Sequence, residues 1–246
     1  MAATQDRNLQ GQKALVTGAT SGLGRAIALQ LARDGAEVVV HGRDEARGAE
    51  TVEAIHAGGG RARFVAADLG DPADVERLAK AAGEIDVLVN NGGFAAWGPT
   101  AGFDIAAFDA MFASNVRAPF YLVAALAPAM AARGTGCIIN IGSMAGRLGM
   151  PGGAAYGATK AALASLTQAW AAEFSPHGVR VNAVAAGPIH TRPEAREMFD
   201  TLGATTPLKR AAEPAEIAAV VAFLASPSAS YVTGAIVAAD GGRTAI

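Results

Sequence analysis

Short, solidly apolar runs alternate with longer stretches of helical periodicity along nearly the whole chain. The runs lie at Lys13–Thr17, Glu37–His41, Ala62–Ala66, Ile85–Val89, Cys137–Ile141, Arg180–Val184 and Ala235–Ala238. Several read ALVT, VVV, DVLV or CIINI, without apolar–polar alternation. Continuous apolar character is what a strand covered on both faces requires. Helical patterns fill the intervals at Leu23–Asp34, Glu45–Ala57, Pro72–Ala82, Asn115–Ala132, Ala154–Ser175 and Pro214–Ala225. This alternation predicts an α/β fold, a doubly wound parallel sheet of about seven strands with helices on both faces. No linker, charge block or longer repeat interrupts the pattern, so residues 1–246 are expected to form a single domain.

Two of the helices break the usual rule. Asn115–Ala132 and Ala154–Ser175 carry small or apolar residues around most of their circumference, where a surface helix shows one apolar stripe. Outer helices of a two-layered domain otherwise meet water, so these faces predict a homo-oligomer, a tetramer or dimer.

Composition narrows the function classes. Of 246 residues, 51% are hydrophobic and 17% charged, enough for a sizeable core and against general disorder. Lys and Arg number 20 against 22 acids, a net charge of −2. That balance favours neither a nucleic-acid backbone nor an anionic membrane surface. The single cysteine, Cys137, excludes an intrachain disulfide and a cysteine-based zinc site. The opening Met1–Gln10 has no apolar stretch like a signal peptide, and the longest apolar run, Ala118–Ala132, is shorter than the ~20 residues of a membrane span. A cytoplasmic protein is expected. His41, His56, His177 and His190 are scattered in no metal-ligand spacing, and there is no Gly-x-Ser-x-Gly elbow.

Chemistry enters after the first strand. Thr17-Gly18-Ala19-Thr20-Ser21-Gly22-Leu23-Gly24 leads straight into a helix. Glycines permit positive φ and close backbone approach to a pyrophosphate, and the free N–H groups of the helix start point at its phosphates. The second strand ends His41-Gly42-Arg43-Asp44. An acid there would bind the ribose hydroxyls of NAD, whereas a nearby arginine accommodates the 2′-phosphate of NADP. Gly42 followed by Arg43 favours NADP; NAD stays open because a one-residue shift in register would return Asp44 to the ribose.

Four more stretches follow at strand and helix ends: Asn90-Asn91-Gly92-Gly93, Asn115 opening a helix, Ser143, and Tyr156-Gly157-Ala158-Thr159-Lys160. With TGATSGLG and the closing Asp240-Gly241-Gly242, the chain resembles the short-chain dehydrogenase/reductase family in its short single-domain branch. The resemblance spans essentially the whole length and implies a Rossmann fold. Tyr156 and Lys160 share one helix face. Lowering a tyrosine from ~10 by ~3 units takes about 4 kcal/mol, comparable to one cation at ~4 Å in an effective dielectric near 20. Lys160 is therefore expected to depress the Tyr156 pKa.

The resemblance implies that Tyr156 exchanges a proton with the substrate oxygen, Lys160 bonds the nicotinamide ribose, Ser143 hydrogen-bonds the carbonyl or alcohol, and Asn115 holds a relay water. On the cofactor it implies Gly18, Thr20, Ser21, Gly22, Leu23, Gly24 and Gly92 at the phosphates and nearby backbone. It further implies Asp68 and Leu69 at adenine, Asn90 at the neighbouring backbone, and Ile189 and Thr191 at the nicotinamide amide. Two departures stand out. Gly92 replaces the family's alanine, and Ala186-Gly187-Pro188 replaces a Pro-Gly turn, a change expected to loosen it.

Substrate loops are expected at Phe94–Phe103, Met144–Gly153 and Ile189–Arg210, the last acting as a lid. They offer Phe94, Trp97, Met144, Met150, Met198 and Phe199 beside Arg147, His190, Arg192 and Arg196. This mixed lining is compatible with a 3-oxoacyl thioester, a sugar or polyol, a steroid or a small ketone. The expected activity is hydride transfer between NADP(H) and a small-molecule carbonyl or secondary alcohol. The competing reading is a catalytically silent nicotinamide-binding sensor or scaffold.

Overall fold

The computed structural model describes residues 8–246. The strands among these are β1 (Lys13–Val16), β2 (Glu37–Gly42), β3 (Arg61–Ala66), β4 (Val87–Asn90), β5 (Gly136–Ser143), β6 (Val179–Ala186) and β7 (Ile236–Ala239). They form one sheet in the order β3-β2-β1-β4-β5-β6-β7, and each pairing is parallel. The helices are α1 (Gly22–Arg33), α2 (Glu45–Ala57), α3 (Pro72–Ala82), α4 (Ile105–Phe112), α5 (Ala118–Arg133), α6 (Ala154–Phe174), α7 (Arg196–Gly203) and α8 (Pro214–Ala225).

The apolar runs are solid because both faces of the sheet are covered. Alternate strand residues point opposite ways. Val16, Val38, Val40 and Val89 pack with Ile27 and Leu31 of α1 and Ile217 and Val221 of α8. Leu15, Val39, Leu88 and Ile138 pack with Leu78 of α3, Leu122 of α5 and Trp170 of α6. The chain runs outward from β1 to β3, then returns to β4 on the other side of β1. Carboxyl-end loops diverge at that reversal and leave a crevice between β1 and β4.

One region departs from expectation. Asn115 does not open a helix. The helix starts ten residues earlier at Ile105, where Asp104 caps it through bonds from Ala106 N and Ala107 N. It then widens into a π-turn over Ala113–Arg117 and continues as α5. The continuous run Ile105–Arg133 has the length and apolarity to cross a membrane, yet more than half of its most apolar window is buried in the domain. Its inner face is core; its outer face, with Phe120, Tyr121, Ala124 and Ala125, is exposed and apolar.

Candidate active site at the carboxyl ends of the strands

The glycine turn is built for close approach. Gly18 and Gly22 have φ of +64° and +50°, conformations that side chains disfavour. A Cβ on Gly24 would strike the Gly18 carbonyl and the Asn91 amide. Ser21 sits at the N-cap of α1 in extended geometry but its side chain makes no capping bond, and the first turn holds no acid. By contrast Asp44, Asp71 and Asp104 cap α2, α3 and α4. The open N–H groups of α1, backed by the helix dipole, fit an anionic pyrophosphate.

A residue outside the expected set holds this turn in place. His41, 2% exposed at the end of β2, accepts from Gly18 N at its Nδ1 (3.2 Å) and donates from Nε2 to the Ala67 carbonyl (3.1 Å). Burial pushes its pKa down to about 4, so the ring is neutral. Thr17 acts similarly: its Oγ1 accepts from Asn91 N and Gly92 N at 2.9 and 2.8 Å. Thr20 lies against Gly42, where any Cβ would collide with it. Arg43 is exposed just beyond. Asp44 is already engaged, accepting from Arg47 N at 3.0 Å and from Arg47 Nε at 2.8 Å. Asp44 thus caps the start of α2.

Asp68 and Leu69 follow β3. Asp68 accepts from Gly70 N, while its own N–H goes to Asp74. Leu69 lies beside the first departure from the family pattern: a methyl on Gly92 would come within 2.5 Å of its Cδ1 and require that side chain to shift. Asn90 turns inward: its Nδ2 donates to Asn140 Oδ1 at 2.9 Å, so its side chain ties β4 to β5 rather than lying along a neighbouring backbone.

Asn115 lies 1% exposed inside the π-turn. Its Oδ1 accepts from Phe94 N (3.1 Å), and its Nδ2 donates to Phe94 O (2.9 Å) and Thr159 Oγ1 (3.1 Å). The side chain is thus a brace between the loop after β4 and α6. The backbone carbonyl is different. Ala118 N bonds Ala113 O, and Pro119 has no N–H, so the carbonyl of Asn115 lacks the donor an α-helix would supply. Thr159, which sequence reasoning passed over as the x before lysine, completes the brace by donating to Tyr156 O at 2.7 Å.

Ser143 ends β5, and Tyr156 and Lys160 rise on the first turns of α6. Lys160 Nζ lies 5.7 Å from the Tyr156 ring centre and donates to the Ile141 carbonyl at 2.9 Å. Trp97 covers the phenol ring, centroids 5.8 Å apart. The expected depression of Tyr156 does not occur in the protein alone. Burial raises its pKa, against a smaller opposing pull from the Ser143 hydroxyl. Lys160 yields instead, pushed down to about 8 by burial. Burial penalises the charged form of both groups, phenolate and ammonium alike.

Beyond β6 the turn is not loosened. Gly187 N bonds Ala239 O, Ala212 N bonds Pro188 O and His190 N bonds Ala212 O, at 3.0, 2.9 and 3.0 Å. Ile189 is buried and bridges to Ala212; Thr191 crosses over Gly22, with its carbonyl 3.1 Å from where a Cβ would sit. The structure thus brings Gly18 to Gly24, Gly92, Thr191, Ser143, Tyr156 and Lys160 to the carboxyl side of the sheet. It takes the side chains of Asn90 and Asn115 into internal bracing.

A family model described as enoyl-(acyl carrier protein) reductase matches residues 18–244. Galactitol 2-dehydrogenase (L-tagatose-forming) from Cereibacter sphaeroides is 42% identical, covering 96% of each chain. A solved short chain dehydrogenase/reductase family protein is 49% identical with a TM-score of 0.92, covering 97% of this chain and all of that one. A gluconate 5-dehydrogenase from Burkholderia cenocepacia, solved with NADP and tartrate, is 31% identical with a TM-score of 0.91 over 98% of each chain. With the glycine turn, the Ser143–Tyr156–Lys160 group and the sheet order, these likenesses show that the chain belongs to the short-chain dehydrogenase/reductase family of oxidoreductases.

Proposed function

We propose that this protein is an NADP(H)-preferring dehydrogenase or reductase of a small-molecule secondary alcohol or carbonyl. The observation that carries the reading is the approach of Ser143, Tyr156 and Lys160 beside a glycine turn whose helix start is uncapped. When bound, the nicotinamide supplies or accepts the hydride. The chain's own residues handle the proton and the geometry. Ser143 holds the substrate oxygen, and Tyr156, kept protonated by burial, is the acid that donates to it during reduction. Lys160 has two ammonium donors left after Ile141 and uses them on the ribose. The Asn115 carbonyl holds the water that returns a proton to the interior. Running in the oxidative direction, Tyr156 must release its proton, and this needs added positive charge beside the ring.

NADP preference rests on Arg43 and on the commitment of Asp44 to Arg47. A sugar or polyol is the favoured substrate class, supported by the galactitol and gluconate dehydrogenases among the relatives. A solved putative β-ketoacyl-ACP reductase, 49% identical with a TM-score of 0.91, supports a 3-oxoacyl thioester as the second reading. The protein is read as a cytoplasmic homo-oligomer. The test is loss of NADPH absorbance against polyol-derived ketoses, keto-sugar acids and a 3-oxoacyl thioester, with Tyr156→Phe in parallel. Turnover on one class with a loss of at least ~100-fold in the variant and unchanged NADPH affinity is expected. Tight NADPH binding without turnover on any class would favour the sensor reading.

A further inference from the structure

We propose that His190 is a positioning residue: as an imidazolium it latches α7 to the start of α8 and holds segment 189–191 closed over the glycine turn. This goes beyond the assigned roles but rests on the reading of Ile189 and Thr191 as the nicotinamide side of the site.

The geometry makes the protonation state part of the latch. Nε2 of His190 lies 2.8 Å from Asp200 Oδ1 on α7, and Nδ1 lies 2.9 Å from Glu213 Oε1 at the N-cap of α8. A carboxylate only accepts, and a neutral imidazole has a single N–H. Both contacts are therefore hydrogen bonds only when both ring nitrogens carry protons. The ring is positioned to do this, because its side chain is 9% exposed and its backbone N–H is pinned to Ala212 O. The two acids are 58% and 55% exposed, so the ring is the anchored partner and α7 is the part being held.

The charged groups that face the ring come from α7 and the start of α8. From α7 come Asp200 and Arg196, whose Nη2 lies 3.6 Å from Glu213 Oε1. From the start of α8 comes Glu213, whose N–H is held by Glu216, itself paired with Arg210 at 2.7 Å. The Phe199 ring of α7 stands edge-on, 6.5 Å away. Glu213 and Asp200 together raise the imidazole above its ordinary 6.5, outweighing burial and Arg196. For a raised group the contribution is complete below the ordinary value and lost as pH rises through the raised one. The latch is therefore closed in mildly acidic solution and weakens on the alkaline side.

The test is hydrogen exchange of the α7 amides in the cofactor-free protein, corrected for intrinsic rates, between about pH 6 and about pH 9. Wild type should lose protection roughly tenfold across that interval, the scale of one charge-assisted hydrogen bond. His190→Gln should be poorly protected and pH-independent. Asp200→Asn, which leaves the α8 cap untouched, should behave likewise and serves if the first variant folds badly. Equal protection in wild type and variants at about pH 6, or a pH-independent wild type, overturns the latch. NADPH titration of the same proteins reads the closure: affinity several-fold weaker in both variants at about pH 6 is expected, and equal affinity overturns it. A wild type that does not bind NADPH would instead overturn the functional reading, while exchange would still decide the latch.

Discussion

Lys160 is a buried cation with no carboxylate partner among the described residues, and that sets its pH behaviour. Its pKa falls to about 8, so the charged form is costly in the folded state and the proton leaves first from there. As pH rises through that value the folded protein loses the ammonium proposed to hold the ribose. The reductive kcat/KM is expected to fall above about pH 8; a limb only on the raised side of the ordinary tyrosine value would assign it to the phenol instead. Arg43 permits a second test. Because Asp44 is bound to Arg47, Arg43→Ala should weaken NADPH by roughly 1–3 kcal/mol and leave NADH nearly unchanged, as measured by fluorescence titration. Equal losses would refute 2′-phosphate recognition. At this scale sequence was informative about residue types and poor about direction. The four-residue spacing put Tyr156 and Lys160 on one face, but nothing in it told that Nζ turns to the Ile141 carbonyl. Nor does the sequence tell that the amides of Asn90 and Asn115 face inward, where each finds a buried partner, Asn140 and Thr159.

Among the elements, the strands were legible because burial on both faces leaves an unmistakable apolar run. Helix α4 was not. Its eight residues, IAAFDAMF, follow a Gly-Phe-Asp stretch that reads as loop, and its stripe carries a single buried residue, Met111. The π-turn is invisible to periodicity, since it alters hydrogen-bond register and not the order of side chains. Pro119 was the one available signal. Its missing N–H is satisfied trivially in the first turn of a helix, but here the helix has already begun. Pro119→Ala should restore a donor to the Asn115 carbonyl, raising stability by about 0.5–1.5 kcal/mol while lowering kcat. Thermal melting and turnover measured together check this, and a variant gaining both would remove the carbonyl from the relay.

At the level of the whole molecule, the outer faces of α5 and α6 expose apolar side chains to water. Phe120 and Tyr121 are 46% and 52% exposed and stack edge to face, with Phe120 also against Trp170. Light scattering at micromolar concentration should give a multiple of the 24.7 kDa chain, and Phe120→Asp should reduce it. A monomeric wild type would contradict the oligomer.

The uncapped start of α1 has a consequence for the life of the protein in a cell. A helix end left without a side-chain cap forgoes on the order of 1 kcal/mol that Asp44 or Asp71 gives its own helix. An anion that settles on those N–H groups supplies the cap as part of its binding, which stabilises the fold by about 2.7 kcal/mol at a hundredfold excess over Kd. The folded population is then coupled to the supply of dinucleotide. Chains made in excess of it are the ones that open most often, and proteases meet them first. Abundance would track cofactor supply without any dedicated regulator.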